Sequence, residues 1–245
     1  MTKLQRAIVT GATSGIGAAT VKAFSTSGYE VLAVARRADR LAKLADEFKV
    51  QTLVADVRDI ATLTAAIQDF KPDILVNNAG VGHGIDGLPQ LAPALMQEAV
   101  DINVTAPIQL TAAVIPGMKE RGRGHIVNIG SIAGLHTLVS SLYGSTKAAV
   151  HTFSQNLRVE LLGSGLRVSE ICPGRVTSEF YQSAKGDRQR LDAMNNSGIR
   201  ELTPNDIAAA VLYAVDAPAH VNVATIELLP TDQAVGGVKA QSSVK

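Results

Sequence analysis

Seven short apolar runs alternate with longer helical patterns along this chain, and that alternation constrains its fold more than any other feature. The runs fall at residues 7–10, 30–35, 51–55, 74–77, 125–129, 167–172 and 224–228. Several are nearly unbroken Val, Ile and Leu, the pattern of parallel strands covered on both faces. Helical stretches lie between them at 15–27, 38–48, 60–70, 93–121, 143–162 and 204–215. Such strand–helix–strand units cross over right-handed and predict an α/β fold: a doubly wound, seven-stranded parallel sheet with helices on both faces. No Gly/Ser/Pro-rich linker interrupts the pattern, so residues 1–245 read as one domain. The least regular segment, 177–203, is rich in Arg, Asn and Ser. It is expected either to cover a substrate site at the carboxyl edge of the sheet or to be a solvated excursion.

Composition narrows the class. Apolar residues make up 46% of the chain and charged residues 18%, enough for a substantial core. The net charge is +1 and no basic run is present, so nothing points to nucleic acid or a membrane surface. Cys172 is the only cysteine, which excludes an intrachain disulfide and implies no cysteine-based metal site. It reads as a buried strand residue. The first residues enter a strand-like segment without a signal-type apolar region. No apolar run approaches the ~20 residues that span a bilayer. The expectation is a soluble cytoplasmic protein.

The first strand runs into Thr10-Gly11-Ala12-Thr13-Ser14-Gly15-Ile16-Gly17 at the head of the first helix. That is the setting of a dinucleotide site in a Rossmann-like fold. Gly11 permits the tight turn, Gly15 lets backbone approach a pyrophosphate, and Gly17 lets the helix pack closely on the strand. The helix N-terminus offers N–H donors and a positive dipole end. The second strand ends in Arg36-Arg37, where an NAD site usually carries a carboxylate for the ribose 2′-hydroxyl. Guanidiniums there fit a 2′-phosphate through forked, charge-assisted bonds, so NADP(H) is expected. Ser14 could add a hydroxyl to the same phosphate. Asp56-Val57 follows the third strand, where the carboxylate either accepts from an adenine amino group or caps a helix. Asn77-Asn78-Ala79-Gly80 closes the fourth strand, with small residues leaving room and amides free to bind backbone or ribose.

Tyr143 and Lys147 lie four residues apart at the head of an Ala-rich helical run. On a helix they share one face. An ammonium close to a phenol favours the phenolate and lowers its pKa, which suits proton exchange near neutral pH.

Taken together these residues resemble the short-chain dehydrogenase/reductase family over essentially the whole chain. The resemblance rests on Thr10–Gly17, Asp56, the 77–80 stretch, Asn103, Ser131, Tyr143, Lys147 and Pro173-Gly174, in family order and spacing. Within the family the chain is similar to the NADP-dependent branch acting on serine and other 3-hydroxy acids. Ala106 stands where many members have glycine after the Asn103 motif, and the segment 175–180 is this chain's own.

The resemblance implies roles. Tyr143 is the general acid/base, and Lys147 favours the tyrosinate and binds the nicotinamide ribose. Ser131 donates to the substrate oxygen. Asn103 holds a water linking Lys147 to solvent. Ile16 and Thr13 join the phosphate turn; Ala79 and Gly80 line the cofactor; Pro173, Gly174, Val176 and Thr177 flank the nicotinamide. No metal is needed. For a small acid substrate, Arg175, Lys185, Arg188 and Arg190 are candidate carboxylate partners, and His83 could line the cleft. Only 4% of residues are aromatic, so no stacking platform for a large flat ligand is expected. Three alternatives stay open: a reductase for another carbonyl, a non-catalytic NADPH-binding regulator, and a dehydratase or epimerase. The long helices imply a homotetramer, or failing that a dimer.

Overall fold

The computed structural model describes residues 5–88, 91–138 and 140–235. Seven strands form one parallel sheet: β1 (Arg6–Thr10), β2 (Glu30–Ala35), β3 (Gln51–Val54), β4 (Ile74–Asn77), β5 (Gly124–Ile129), β6 (Leu166–Pro173) and β7 (Thr225–Leu228). Their spatial order is β3-β2-β1-β4-β5-β6-β7. The predicted architecture and all seven strands are present, with no end moved by more than one residue.

The five inner strands are buried on both faces, the edge strands β3 and β7 are largely exposed, and alternate residues divide between two cores. Val9, Val31, Ala33, Val76 and Ile171 face one side. There they meet α1 (Gly15–Thr26), α2 (Ala38–Phe48) and α10 (Pro204–Asp216). Ile8, Leu32, Val34, Leu75 and Ile126 face the other. That side is covered by α3 (Ile60–Phe70), α5 (Ala106–Glu120) and α7 (Ser141–Glu160). Period-two alternation within nearly continuous apolar strands is what a sheet sandwiched between helix layers requires.

Local signals set several helix ends. Thr203 caps α10 through a reciprocal pair: its hydroxyl accepts from the Asp206 N–H, and the Asp206 carboxylate accepts from the Thr203 N–H at 2.7 Å. Asp59, not Asp56, caps α3 by accepting from the Thr62 N–H, so the capping alternative for Asp56 is excluded.

The helix expected over 93–121 has three parts: α4 (Pro93–Val100), a π-helical turn (Asp101–Thr105) and α5. Pro107 has no N–H to give the Asn103 carbonyl, so the ordinary ladder is broken just there. The whole run Pro93–Glu120 is long and apolar enough, by length and composition, to cross a membrane. That corrects the expectation that no run comes close. In this fold Leu110, Val114 and Met118 bury one side of it against the sheet.

Segment 177–203 folds into two short helices, α8 (Phe180–Ser183) and α9 (Arg188–Asn195). Leu191 and Ala184 pack with Tyr143 in a small apolar cluster of their own. Earlier in the chain, α6 (Ile132–Leu135) joins β5 to α7.

Candidate functional site

Strand order reverses between β1 and β4, and the turns leaving their carboxyl ends diverge there. A cleft of about 720 Å³ opens at that point, within the range of small-molecule and cofactor sites. Its lining begins with the glycine turn and passes Arg36 and Asp56 to the 78–80 stretch. It then continues past Ser131 and Tyr143 to Lys147 and Pro173.

The glycine turn is packed from behind. Gly11 has φ +65°, and a Cβ there would meet Asn78 Nδ2 at 2.8 Å; a Cβ on Gly17 would lie 2.2 Å from the Gly11 carbonyl oxygen. Asn78 fixes the turn by donating from Nδ2 to the Thr10 carbonyl at 2.8 Å. Gly17 itself stays outside the cleft, whereas Gly11, Thr13, Ser14, Gly15 and Ile16 line it. Ser14 precedes α1 without making a side-chain cap, and the first turn of α1 holds no acidic residue. Among the described residues, no carboxylate meets the N–H groups at this end of the helix. Together with the glycine cradle, this fits a pyrophosphate.

Both arginines after β2 reach the cleft, in different ways. Arg36 lies 3.8 Å from the Asp56 carboxylate. Arg37 donates from Nε and Nη2 to Thr13 Oγ1 at 3.2 and 3.1 Å. Asp56 also takes a forked pair from Arg58, at 2.9 and 2.8 Å, which holds its carboxyl down at about 2. Val57, Ala79 and Gly80 complete this wall. Asn77 faces the core instead: its Nδ2 donates to Thr111 Oγ1 and Asn128 Oδ1.

At the other end of the cleft, α7 presents Tyr143 and Lys147 on one face, both buried. Lys147 Nζ lies 5.9 Å from the Tyr143 ring centroid and donates to the Ile129 carbonyl at 2.8 Å. Burial lowers its pKa to about 8. Burial pushes the Tyr143 phenol above its ordinary value, and a hydrogen bond with Ser131 opposes that. The sequence expectation was that the lysine would draw the phenol down. In this geometry the lysine donates to the end of β5, and Ser131 is what lowers the phenol. The Ser131 hydroxyl also accepts from the Ala133 N–H at 3.1 Å, capping α6.

Asn103 does not line the cleft but stands directly behind it. Its Oδ1 accepts from the Val81 N–H at 2.8 Å, and its Nδ2 donates to the Val81 carbonyl at 2.9 Å and to Thr146 Oγ1 at 3.1 Å. The π-helical turn presents it there, tying the 80–81 loop to α7.

Pro173, Gly174 and Val176 line the cleft; Thr177 does not, its N–H bonding the Leu202 carbonyl. Of the four candidate cations, Arg175 and Lys185 reach the cleft. Arg175 pairs with Glu201 at 2.8 Å. Arg188 and Arg190 pair instead with Asp192 and Asp187. His83 lines the cleft, buried, with its ring on Glu98. Composition hid Phe180 and Tyr181. The Phe180 ring meets Tyr143 edge-on at 5.3 Å, and Tyr181 meets Phe180 at 5.5 Å. Glu179, also missed, bonds Arg37 and Arg40. No local signal marks it, since its partners lie about 140 residues away in sequence.

Comparison with known proteins follows the same lines. The short chain dehydrogenase profile matches residues 5–189. An NADP-dependent 3-hydroxy acid dehydrogenase of Salmonella typhi is 39% identical over 96% of this chain and 99% of its own. Sulfoacetaldehyde reductase 2 of Chromohalobacter salexigens is 36% identical over 93% and 94%. The closed form of a serine dehydrogenase complexed with NADP+ superposes with a TM-score of 0.91, at 36% identity over 98% of this chain and all of that one. By sequence, fold and the arrangement of its cleft, the chain belongs to the short-chain dehydrogenase family.

Proposed function

We propose that this protein is an NADP(H)-dependent oxidoreductase that interconverts an alcohol and its carbonyl compound, with a small 3-hydroxy acid such as serine or 3-hydroxypropionate as substrate. One observation carries the reading: Tyr143, Ser131 and Lys147 meet at one end of a cleft whose other end is a glycine turn flanked by Arg36 and Arg37. Two of the named relatives point the same way, one NADP-dependent and the other bound to NADP+.

The bound nicotinamide supplies or accepts the hydride. The chain's residues manage the proton and the oxygen. In reduction, the Tyr143 phenol gives its proton to the substrate oxygen as negative charge develops there; in oxidation it takes that proton back. Ser131 holds the same oxygen with its hydroxyl, so a donor is in place before charge appears. Lys147, held by the Ile129 carbonyl, binds the ribose hydroxyls. Asn103 positions a water between Lys147 and solvent. The glycine turn holds the pyrophosphate, Asp56 and Val57 the adenine, and Arg36, Arg37 and Ser14 the 2′-phosphate. Gly80 and Val176 are assigned to the nicotinamide side. No step calls for a metal.

Segment 177–203 serves as the lid over the substrate, with Phe180 against Tyr143. A 3-hydroxy acid and sulfoacetaldehyde share one design: an anionic head separated by one carbon from the reacting carbon. Arg175 and Lys185 are placed to receive such a head. The apolar wall of Ile85, Leu138 and Phe180 favours, as a second reading, reduction of a bulkier neutral carbonyl. NADPH absorbance across a panel of 3-hydroxy acids, 3-oxoacyl thioesters and neutral ketones decides between them. Turnover confined to the small acids is expected; turnover of neutral ketones alone would reverse the substrate assignment.

The tetramer belongs to the same reading. Ile108 on α5 is exposed, and so are Val159 on α7 and Leu162 beyond its end, apolar surface that subunit packing would cover. A monomer by light scattering would refute it. The expected cytoplasmic location, with its NADP(H) pool, is checked by cell fractionation.

A further inference from the structure

Arg37 is pulled two ways. Its Nε and Nη2 point to Thr13 in the glycine turn, while its Nη1 donates to Glu179 Oε2 at 3.1 Å. One helical turn on, Arg40 Nη1 donates to both oxygens of the same carboxylate, at 2.7 and 2.9 Å. One guanidinium assigned to the cofactor phosphate, Arg37, is therefore holding, together with Arg40 beside it, a carboxylate of the segment read as the lid. All three side chains are 40–45% exposed, so the pairing sits at the rim, where it can be exchanged. The guanidiniums of Arg40 and Arg37 also hold the Glu179 carboxyl below its ordinary value.

The neighbours of Glu179 tie that pairing to the rest of the cleft. Ser178 stands over the glycine turn, with its Cβ 3.3 Å from where a Cβ on Gly15 would be. Phe180 lies across Gly82, where a Cβ would meet its ring at 2.7 Å, and packs on Tyr143. Residues 178–180 thus form a short strap. One end is fastened to the arginines of α2 and the other rests on the tyrosine.

We propose that Glu179 competes with the cofactor 2′-phosphate for Arg37 and Arg40, so that binding of the phosphate releases the lid's tie to α2. This rests on the NADP(H) reading above. A 2′-phosphate between Thr13 and Arg37 places up to two negative charges beside the carboxylate. The two anions then share one set of donors, and each weakens the hold on the other. Glu179 accordingly moderates the preference for a phosphorylated cofactor and makes lid position depend on which anion is seated.

The test uses the whole chain, with 2′,5′-ADP and 5′-ADP as probes. Binding is measured calorimetrically for the wild type, Glu179→Gln and Glu179→Ala, after thermal melting shows the variants folded. The wild type is expected to prefer 2′,5′-ADP. Both variants should bind it about tenfold tighter than wild type, the scale of one unit charge removed a few ångströms away at the rim, while 5′-ADP affinity stays within about twofold. Amide exchange across 178–195 should speed up when 2′,5′-ADP binds the wild type and should already be fast in both variants. Unchanged or weaker 2′,5′-ADP binding in both variants would overturn the proposal, as would slowed wild-type exchange. No preference for 2′,5′-ADP over 5′-ADP in any of the three proteins would instead refute the NADP(H) reading beneath it.

Discussion

The ammonium of Lys147 donates to the main-chain carbonyl of Ile129 across 2.8 Å, joining the middle of one wall of the cleft to the end of β5. That bond fixes where the charge sits, and burial sets what the charge costs. The pKa of Lys147 falls from 10.5 to about 8, so the folded protein releases this proton more readily than the unfolded chain. Below pH 8 both states hold the proton, and the folded state bears the full cost of burying it. Between pH 8 and 10.5 the unfolded chain binds more protons, so this group's contribution to stability rises with pH.

Lys147→Met should therefore stabilise the fold at pH 7, by up to about 3 kcal/mol from a shift of this size, less about 1 kcal/mol for the unpaired Ile129 carbonyl. The gain should shrink toward pH 10.5 while turnover is lost. Urea unfolding of both proteins at pH 7 and pH 10 checks it; an identical difference at the two pH values would contradict the buried charge. Wild-type turnover should also fall as pH rises through about 8, where the ammonium is lost.

The cofactor arginines give a second prediction. Arg36→Asp with Arg37→Ile removes the guanidiniums and restores a carboxylate for the ribose hydroxyl. The ratio of kcat/KM for NADPH over NADH should fall by about a hundredfold or more, as two charge-assisted bonds are lost. An unchanged ratio would show that other residues read the 2′-phosphate.

Asn103 gives a third. Asn103→Leu removes one acceptor and two donor bonds and leaves the Val81 N–H and carbonyl unpaired. Stability should drop by about 2–4 kcal/mol, and kcat should fall further than KM changes, because the 80–81 loop and α7 lose their common anchor. A chemical denaturation curve matching wild type would contradict this account of the π-helical turn.

Much of this site could be read before any coordinates. The glycine turn, Arg36-Arg37 and the Tyr143–Lys147 spacing are local signals, each fixed by a strand end or a helical turn. What stayed hidden depends on distant partners or on geometry that leaves no period. The π-helical turn adds one residue to an apolar run, so the run still looks like plain helix; Pro107 was its only mark. Asn77 carries the same amide as Asn78, but alternation turns it into the core. Segment 177–203 has no periodicity, so neither the aromatic contact of Phe180 with Tyr143 nor the pairing of Glu179 with Arg37 and Arg40 could be foreseen. Lys147 was expected to lower the phenol, but its donors turn to a main-chain carbonyl that no motif reveals.

The central claim is that the Tyr143 phenol moves the proton in a cleft that binds NADP(H) independently of that group. Tyr143→Phe removes one oxygen and leaves the ring packed against Phe180. Turnover in the presence of saturating NADPH should fall by about a thousandfold or more, in line with loss of a general acid/base, while NADPH affinity by equilibrium dialysis stays within about twofold of wild type. Turnover near the wild-type rate would contradict the account.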